Sequence, residues 1–210
     1  MLDEPILKKG IRHISRADKV MKRAISLVGP CSIQIDNNGF RMLIRSVVGQ
    51  QLSVAAARTI WNRFVSLNGG RRFTPGKMLA FDRSALRSIG LSAAKAHAVQ
   101  SIARSLTKGE VKLRRLRAMD DDAAIMELTR LRGIGPWTAH MYLMFSLGRP
   151  DVFPSGDLGI VNAITELYGL STRPDKEKLE NVASAWKPYR TIGSWYCWQA
   201  LDLVRDGKYL

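Results

Sequence analysis

Cysteine is nearly absent from this sequence: 210 residues contain two, Cys31 and Cys197, far apart and without a CxxC pair. That excludes a structural zinc site or a four-cysteine iron–sulfur cluster unless other chains supply ligands. Both read as reduced thiols of an intracellular protein. The three histidines, His13, His97 and His140, show no metal-ligand spacing. No apolar run approaches the roughly 20 residues that span a bilayer. The opening MLDEPILKKG lacks the apolar core of a signal peptide, so neither secretion nor a membrane partner is expected. Acidic residues are few beside the basic ones. Lys and Arg number 33 and Asp and Glu 18, a net charge of +15. Such an excess favours a polyanion, most commonly nucleic acid; an anionic membrane surface or simple solubility are the plainer alternatives.

Strand signals are also scarce, and helical periodicity dominates. Residues 16–28 carry Val20, Met21, Ala24, Ile25 and Val28 at helical spacing, stopped by Gly29-Pro30. Asp36-Asn37-Asn38-Gly39 reads as a turn. Helices are expected from Phe40 to about Val48 and from Ser53 to about Leu67, joined at Gly49-Gln50-Gln51-Leu52. Further helices fall after Thr74, over 82–89, and over 92–106 with Ser92 as N-cap. Asp120-Asp121-Asp122 reads as the cap of AAIMELTRL rather than a metal site, because acidic groups suit a helix start. Pro136 opens a helix running to about Leu147. Asp157–Tyr168, Lys176–Trp186 and Ile192–Val204 complete about ten helices with no clear linker.

The most informative stretch is Leu128-Thr-Arg-Leu-Arg-Gly-Ile-Gly-Pro-Trp-Thr-Ala139. Gly133 and Gly135 permit positive φ and remove side-chain obstruction. The N–H groups that open the second helix, with Arg130 and Arg132 nearby, can then grip a phosphate. An ordinary αα-hairpin with a glycine C-cap explains the same residues equally well. Asp157 follows Gly135 by 22 residues, within Val152-Phe-Pro-Ser-Gly-Asp-Leu-Gly-Ile160. By position alone this Asp is more readily a helix N-cap than a catalytic carboxylate.

Taken together, these motifs resemble the helix-hairpin-helix DNA glycosylase superfamily. Gly133-Ile-Gly-Pro-Trp-Thr-Ala139 and Phe153-Pro-x-x-Asp157 are similar to its 3-methyladenine DNA glycosylase II branch, as are Phe40–Val54, Gly90–Ala96 and Trp186-Lys-Pro-Tyr-Arg190. The resemblance covers roughly residues 15–205. It implies an all-α fold, one glycosylase domain over 1–210 made of two lobes. Residues about 41–144 would form a helical barrel ending in the hairpin. Residues about 1–40 with 145–210 would form the second lobe, with a base-binding cleft between.

The resemblance also implies roles. Asp157 would be the catalytic carboxylate. Trp137 stands where lyase-competent relatives carry the Schiff-base lysine, so strand cleavage is not expected. Trp137 and Trp198 would wall the base pocket, and Met141 with Tyr142 falls where another aromatic is expected; Trp195 reads as packing. Gln51, with Leu52 beside it, falls at the wedge that fills the gap left by a flipped base. Gly133, Gly135, Thr138 and Arg132 would hold DNA phosphate. The backbone carbonyls of Thr129, Leu131 and Ile134 match a structural sodium or potassium site; no other cofactor is expected. The function implied is a monofunctional hydrolase acting as a monomer on double-stranded DNA, in a nucleoid or a nucleus, releasing 3-methyladenine and 7-methylguanine in base excision repair. A silent helix-hairpin-helix DNA-binding module is the main alternative, which Asp157 and the tryptophans argue against. A bifunctional enzyme for oxidised bases is the other, against which Trp137 stands.

Overall fold

A computed structural model describes residues 2–209, apart from the side chain of Val54. All regular elements among the described residues are helical: α1 (Glu4–Ala17), α2 (Lys19–Val28), α3 (Gly39–Gly49), α4 (Val54–Leu67), α5 (Pro75–Ala80), α6 (Arg83–Ser88), α7 (Ala93–Thr107), α8 (Asp121–Thr129), α9 (Pro136–Tyr142), α10 (Leu158–Leu167), α11 (Lys176–Ser184) and α12 (Arg190–Arg205). A 3-10 helix covers Leu113–Ala118, and a π-helical turn covers Leu143–Leu147. The expected count of about ten is therefore too low. The single segment expected over 16–28 is two helices broken at Asp18, whose backbone N–H closes α1 on Ile14 while its carboxylate caps α2 through Val20 and Met21. Met141 and Tyr142 end α9, and the helix expected to run regularly to Leu147 widens into the π turn.

The chain divides into two compact units. The first comprises Met1–Ile35 and Leu147–Leu210, the second Asp36–Ser146. The sequence boundaries of 41 and 144 shift because residues 36–38 are tied to the second unit. The Asp36 N–H donates to the Phe145 carbonyl at 2.7 Å, and Ser146 Oγ donates to the Asp36 carbonyl at 3.0 Å. The Asp36 carboxylate holds the Arg41 guanidinium through Nε at 2.8 Å and Nη2 at 2.6 Å. Asn38, read from sequence as part of a turn, is the N-cap of α3.

In the second unit, α3 packs on α4, α7 and α9, and α5 and α6 pack on α7. Leu43, Ile44, Phe64, Met78, Leu86, Ile102 and Leu116 are fully enclosed. Each large side chain buried in this way contributes ~1.5–3 kcal/mol. Trp61 stacks on Phe73 with ring centroids 4.9 Å apart. In the first unit, α12 is the central element, touching α1, α2, α10 and α11. Ile14, Met21, Ile160, Ile164, Trp186, Ile192 and Tyr196 are its core. Gly10 of α1 lies where a methyl group would run into Ile192 and Tyr189, so the helices approach closely there.

Candidate active site and hairpin

Asp157 is the N-cap of α10, and its Oδ1 accepts the Ile160 N–H at 2.9 Å. The same oxygen accepts Nε1–H of Trp198, from α12, at 2.9 Å. The carboxylate is thus a helix cap whose rotamer is held by a second helix. Asp157 and Trp198 are both half-buried, and Leu158 beside them is 59% exposed.

Gly159 completes this arrangement, and sequence reasoning passed over it. A Cβ there would lie 2.9 Å from Trp198 Cδ1 and 3.0 Å from Asp157 Oδ1. Those distances are shorter than ordinary van der Waals contact, and the neighbours are the two groups just described. Gly159→Ala should therefore shift Trp198 off its bond to Asp157 while leaving α10 intact, since alanine favours helices. A tryptophan fluorescence change with unchanged helical circular dichroism is expected. Unchanged fluorescence would contradict the packing.

The hairpin lies in the second unit. α8 ends near Thr129, the chain turns through Leu131 and Gly133, and α9 begins at Pro136. Gly133 has φ +86°, a backbone that disfavours a side chain, and a Cβ there would sit 2.7 Å from Cβ of Ala98 on α7. Gly135 differs from expectation. It is the α9 N-cap with φ −99° and ψ 178°, an extended conformation open to any residue, and nothing lies within 4 Å of where its Cβ would be. Only obstruction of an approaching group, and not conformation, calls for glycine at 135. With a glycine N-cap, α9 has no side-chain cap, so its first N–H groups have no side chain of the cap residue to satisfy them.

Thr138 is buried, and its Oγ1 accepts from Gln50. Met141 and Tyr142 are 6% and 3% exposed and belong to the packing of the second unit, whereas Trp137 is 37% exposed. Tyr142 hydroxyl lies against Gly39, and burial pushes its pKa up. Trp195 is buried against Tyr196, as expected of packing. Leu131 carbonyl accepts the Ile134 N–H at 3.0 Å, closing the turn. Gln51 and Leu52 form the exposed tip between α3 and α4.

Positive charge concentrates on the hairpin-bearing unit, which holds eighteen of the 33 Lys and Arg but seven of the 18 Asp and Glu. Arg132, and then Arg83 and Arg104, disfavour the imidazolium of His97 on α7, holding its pKa below the usual value. These cations therefore crowd one face beside the hairpin. Among the described residues no cluster of three or more His, Cys, Asp or Glu is arranged to hold a metal.

Residues 44–188 match the model of the HhH-GPD superfamily of base excision DNA repair proteins. The chain belongs to that superfamily. Relatives of this HhH-GPD protein include the DNA-3-methyladenine glycosylase 1 of Schizosaccharomyces pombe, 35% identical over 203 residues, covering 94% of this chain and 89% of the relative. The alkylbase DNA glycosidase-like protein mag2 of the same yeast is 30% identical over 206 residues, covering 96% and 97%. Among solved structures, S. pombe 3-methyladenine DNA glycosylase (Mag1) in complex with abasic DNA superposes with a TM-score of 0.83 at 35% identity, covering 90% of this chain and 95% of that one. A DNA-3-methyladenine glycosidase from Bacillus halodurans gives 0.79 at 32% identity, covering 95% and 92%.

The sequence missed several residues that hold this HhH-GPD protein together. Arg190, in the matched Trp186–Arg190 motif, grips Asp151 through Nε at 2.9 Å and Nη2 at 3.0 Å. Trp186 Nε1 donates to Asp18 at 2.9 Å. The motif thus serves the frame of the first unit. Only the pairing of distant partners, invisible in a linear reading, shows it.

Proposed function

We propose that this protein is a monofunctional DNA glycosylase that takes an alkylated purine out of duplex DNA and hydrolyses its N-glycosidic bond, opening base excision repair. The observation that carries the reading is the Asp157 carboxylate, fixed by Ile160 N–H and Trp198 Nε1–H, in a chain whose relatives are named for 3-methyladenine. In the reaction the C1′–N bond breaks, the electron pair leaves with the base, and positive charge develops on the sugar. Asp157 stabilises that charge and takes a proton from the water that adds to C1′. Flipping the base costs unstacking, which the enzyme offsets with contacts to the extruded nucleotide.

Purines methylated at N3 or N7 are cationic and leave readily, so one carboxylate suffices. The bond from Trp198 Nε1 to Asp157 fixes the indole plane. A cationic base against such a face is favoured by ~0.5–2 kcal/mol; the exposed indole of Trp137 is the second candidate. The expected products are 3-methyladenine and 7-methylguanine, with hypoxanthine released poorly and uracil or 8-oxoguanine barely. Chromatography of bases freed from methylated DNA tests this; faster release of uracil or 8-oxoguanine would overturn the alkylated-base assignment. Trp137 has no amine with which to form a Schiff base. The abasic strand should therefore remain intact, and borohydride should trap no protein–DNA adduct.

Phosphate is held by the N–H groups of Gly133, Gly135 and Thr138, with Arg132 and the cations around His97. The carbonyls of Thr129, Leu131 and Ile134 are hard oxygen donors on one turn, suited to a sodium or potassium ion, which would add positive charge beside the phosphate. The protein works as a monomer wherever the genome is held. Among the described residues no helix is long and apolar enough to cross a membrane. Affinity for undamaged DNA should fall steeply with salt, with a log–log slope of about −0.9 per phosphate neutralised. Because Gly135 is unstrained, Gly135→Ala should fold normally yet weaken binding to damaged and undamaged DNA alike. A salt-independent affinity, or an alanine variant that binds normally, would remove the hairpin from the interface.

A further inference from the structure

Lys95 and Gln50 have no place in the chemistry above, yet their polar atoms converge on the tip at Gln51–Leu52. Lys95, in the first turn of α7, donates through Nζ to the carbonyls of Val48, at 2.8 Å, and Gln50, at 2.7 Å. These carbonyls lie at the C-terminal end of α3, where backbone acceptors lack helical partners and a cation suits the dipole. Burial of Lys95 lowers its pKa, a sign that the ammonium has exchanged water for these oxygens. Gln50 in turn donates through Nε2 to the Gly133 carbonyl at 3.0 Å and to Thr138 Oγ1 at 3.1 Å. One residue later, Gln51 has φ +55°, the only positive φ at a non-glycine position among the described residues. The Leu52 N–H then donates to the Gly49 carbonyl at 3.3 Å. A backbone so placed persists only where its surroundings over-determine it. Lys95 on one side and the hairpin on the other supply that constraint.

We infer that Lys95 and Gln50 are positioning residues: together they fix the Gln51–Leu52 tip against the phosphate-gripping hairpin, so that the tip enters the base stack already formed. The inference rests on the glycosylase reading. It differs from it in saying that gripping the backbone and invading the stack are joined by one side-chain strut, running from α7 through the end of α3 to Gly133 and Thr138. A preformed tip spends no ordering entropy when it displaces a base. The strut also makes the distance from phosphate to wedge a property of the protein rather than of the DNA.

The test uses the full chain with a duplex carrying a tetrahydrofuran abasic analogue beside 2-aminopurine, whose fluorescence rises when it unstacks. Lys95→Met keeps the aliphatic stem and removes the donors; Gln50→Met does the same for the amide. Each variant should retain affinity for undamaged DNA within about twofold, since the hairpin amides are untouched. Each should lose most of the 2-aminopurine signal and release methylated bases ~10-fold more slowly in a single turnover. The double variant should lose no more than the worse single one, because both break one strut, and Lys95→Arg should restore part of the signal. Wild-type fluorescence in both methionine variants would overturn the inference, as would a drop in melting temperature with the signal intact. If the wild type itself neither unstacks the probe nor releases bases, the glycosylase reading falls and takes this inference with it. Wild-type unstacking shared by both variants sinks the strut alone.

Discussion

Asp157→Asn should abolish most base release, by ~100-fold or more, while folding and DNA binding stay close to those of the parent protein. That is the scale on which loss of one preorganised electrostatic group slows an enzyme. The substitution is informative because the structure separates the two duties of the residue. Oδ1 receives the Ile160 and Trp198 N–H groups, and an asparagine carbonyl can accept both. The cap and the position of Trp198 therefore survive, while the negative charge proposed to stabilise the sugar is lost. Asp157→Ala should fare worse on stability as well, by about 1 kcal/mol for the missing cap. Single-turnover release of 3-methyladenine, read beside thermal melts and binding to an abasic analogue, distinguishes the two effects. Near-parental turnover in the asparagine variant would take Asp157 out of the mechanism.

Asp18→Ala should be the most destabilising change away from the site. One carboxylate oxygen caps α2 through the Val20 and Met21 N–H groups, at 2.9 and 3.0 Å. The other accepts the Tyr168 hydroxyl and, at 2.9 Å, Trp186 Nε1–H. Alanine removes the cap, worth about 1 kcal/mol. It also leaves two largely buried donors unsatisfied, at ~1–3 kcal/mol each. The sum is roughly 3–7 kcal/mol, which for a chain of this size lowers the melting temperature by about 10–20 °C. Burial, and then the hydrogen bond and charge of Asp18, push the Tyr168 hydroxyl far above its ordinary pKa. Tyr168 should thus give no phenolate absorbance in the folded protein, and alkaline titration should show it only on unfolding. A melt unchanged in Asp18→Ala would mean that these bonds contribute little.

The sequence made some of this molecule legible and hid other parts for identifiable reasons. Caps were readable where a short polar residue meets a helical pattern, as at Ser92 and Asp120, because their partners lie three residues away, and the Pro136 start was readable because proline suits a first helical position. The helix Glu4–Ala17 was not recognised, although Asp3 caps it and Pro5 sits in its first turn. Gly10 interrupts its pattern, and the reason for that glycine is contact with Ile192 and Tyr189, nearly two hundred residues on. The break at Asp18 was hidden in the same way, since its carboxylate answers to Tyr168 and Trp186 as well as to its neighbours. At the candidate site, the resemblance supplied Asp157 and Trp198, but their direct hydrogen bond and the need for Gly159 emerged only from geometry. Gln50 and Lys95 carried no signal of their own, because a strut between three elements has no local periodicity.

The first unit is discontinuous in the chain while the second is a single run from Asp36 to Ser146, and this order matters during synthesis. The second unit has all its partners once its last residue leaves the ribosome, and a segment of that kind can fold as an autonomous block. Helices α1 and α2 emerge before that unit but pack on α12, which emerges after it. Their apolar faces, Ile14 and Met21 among them, must wait while the whole second unit is synthesised. The entropic cost of closing so long a loop grows only with the logarithm of its length, and early folding of the intervening block shortens it further. What the newborn chain risks is the interval itself, during which two amphipathic helices stand open to other nascent chains and to chaperones. The opposite face of α1 carries Lys8, Lys9, Arg12 and Arg16, all exposed, and charge of that kind favours keeping the waiting segment solvated.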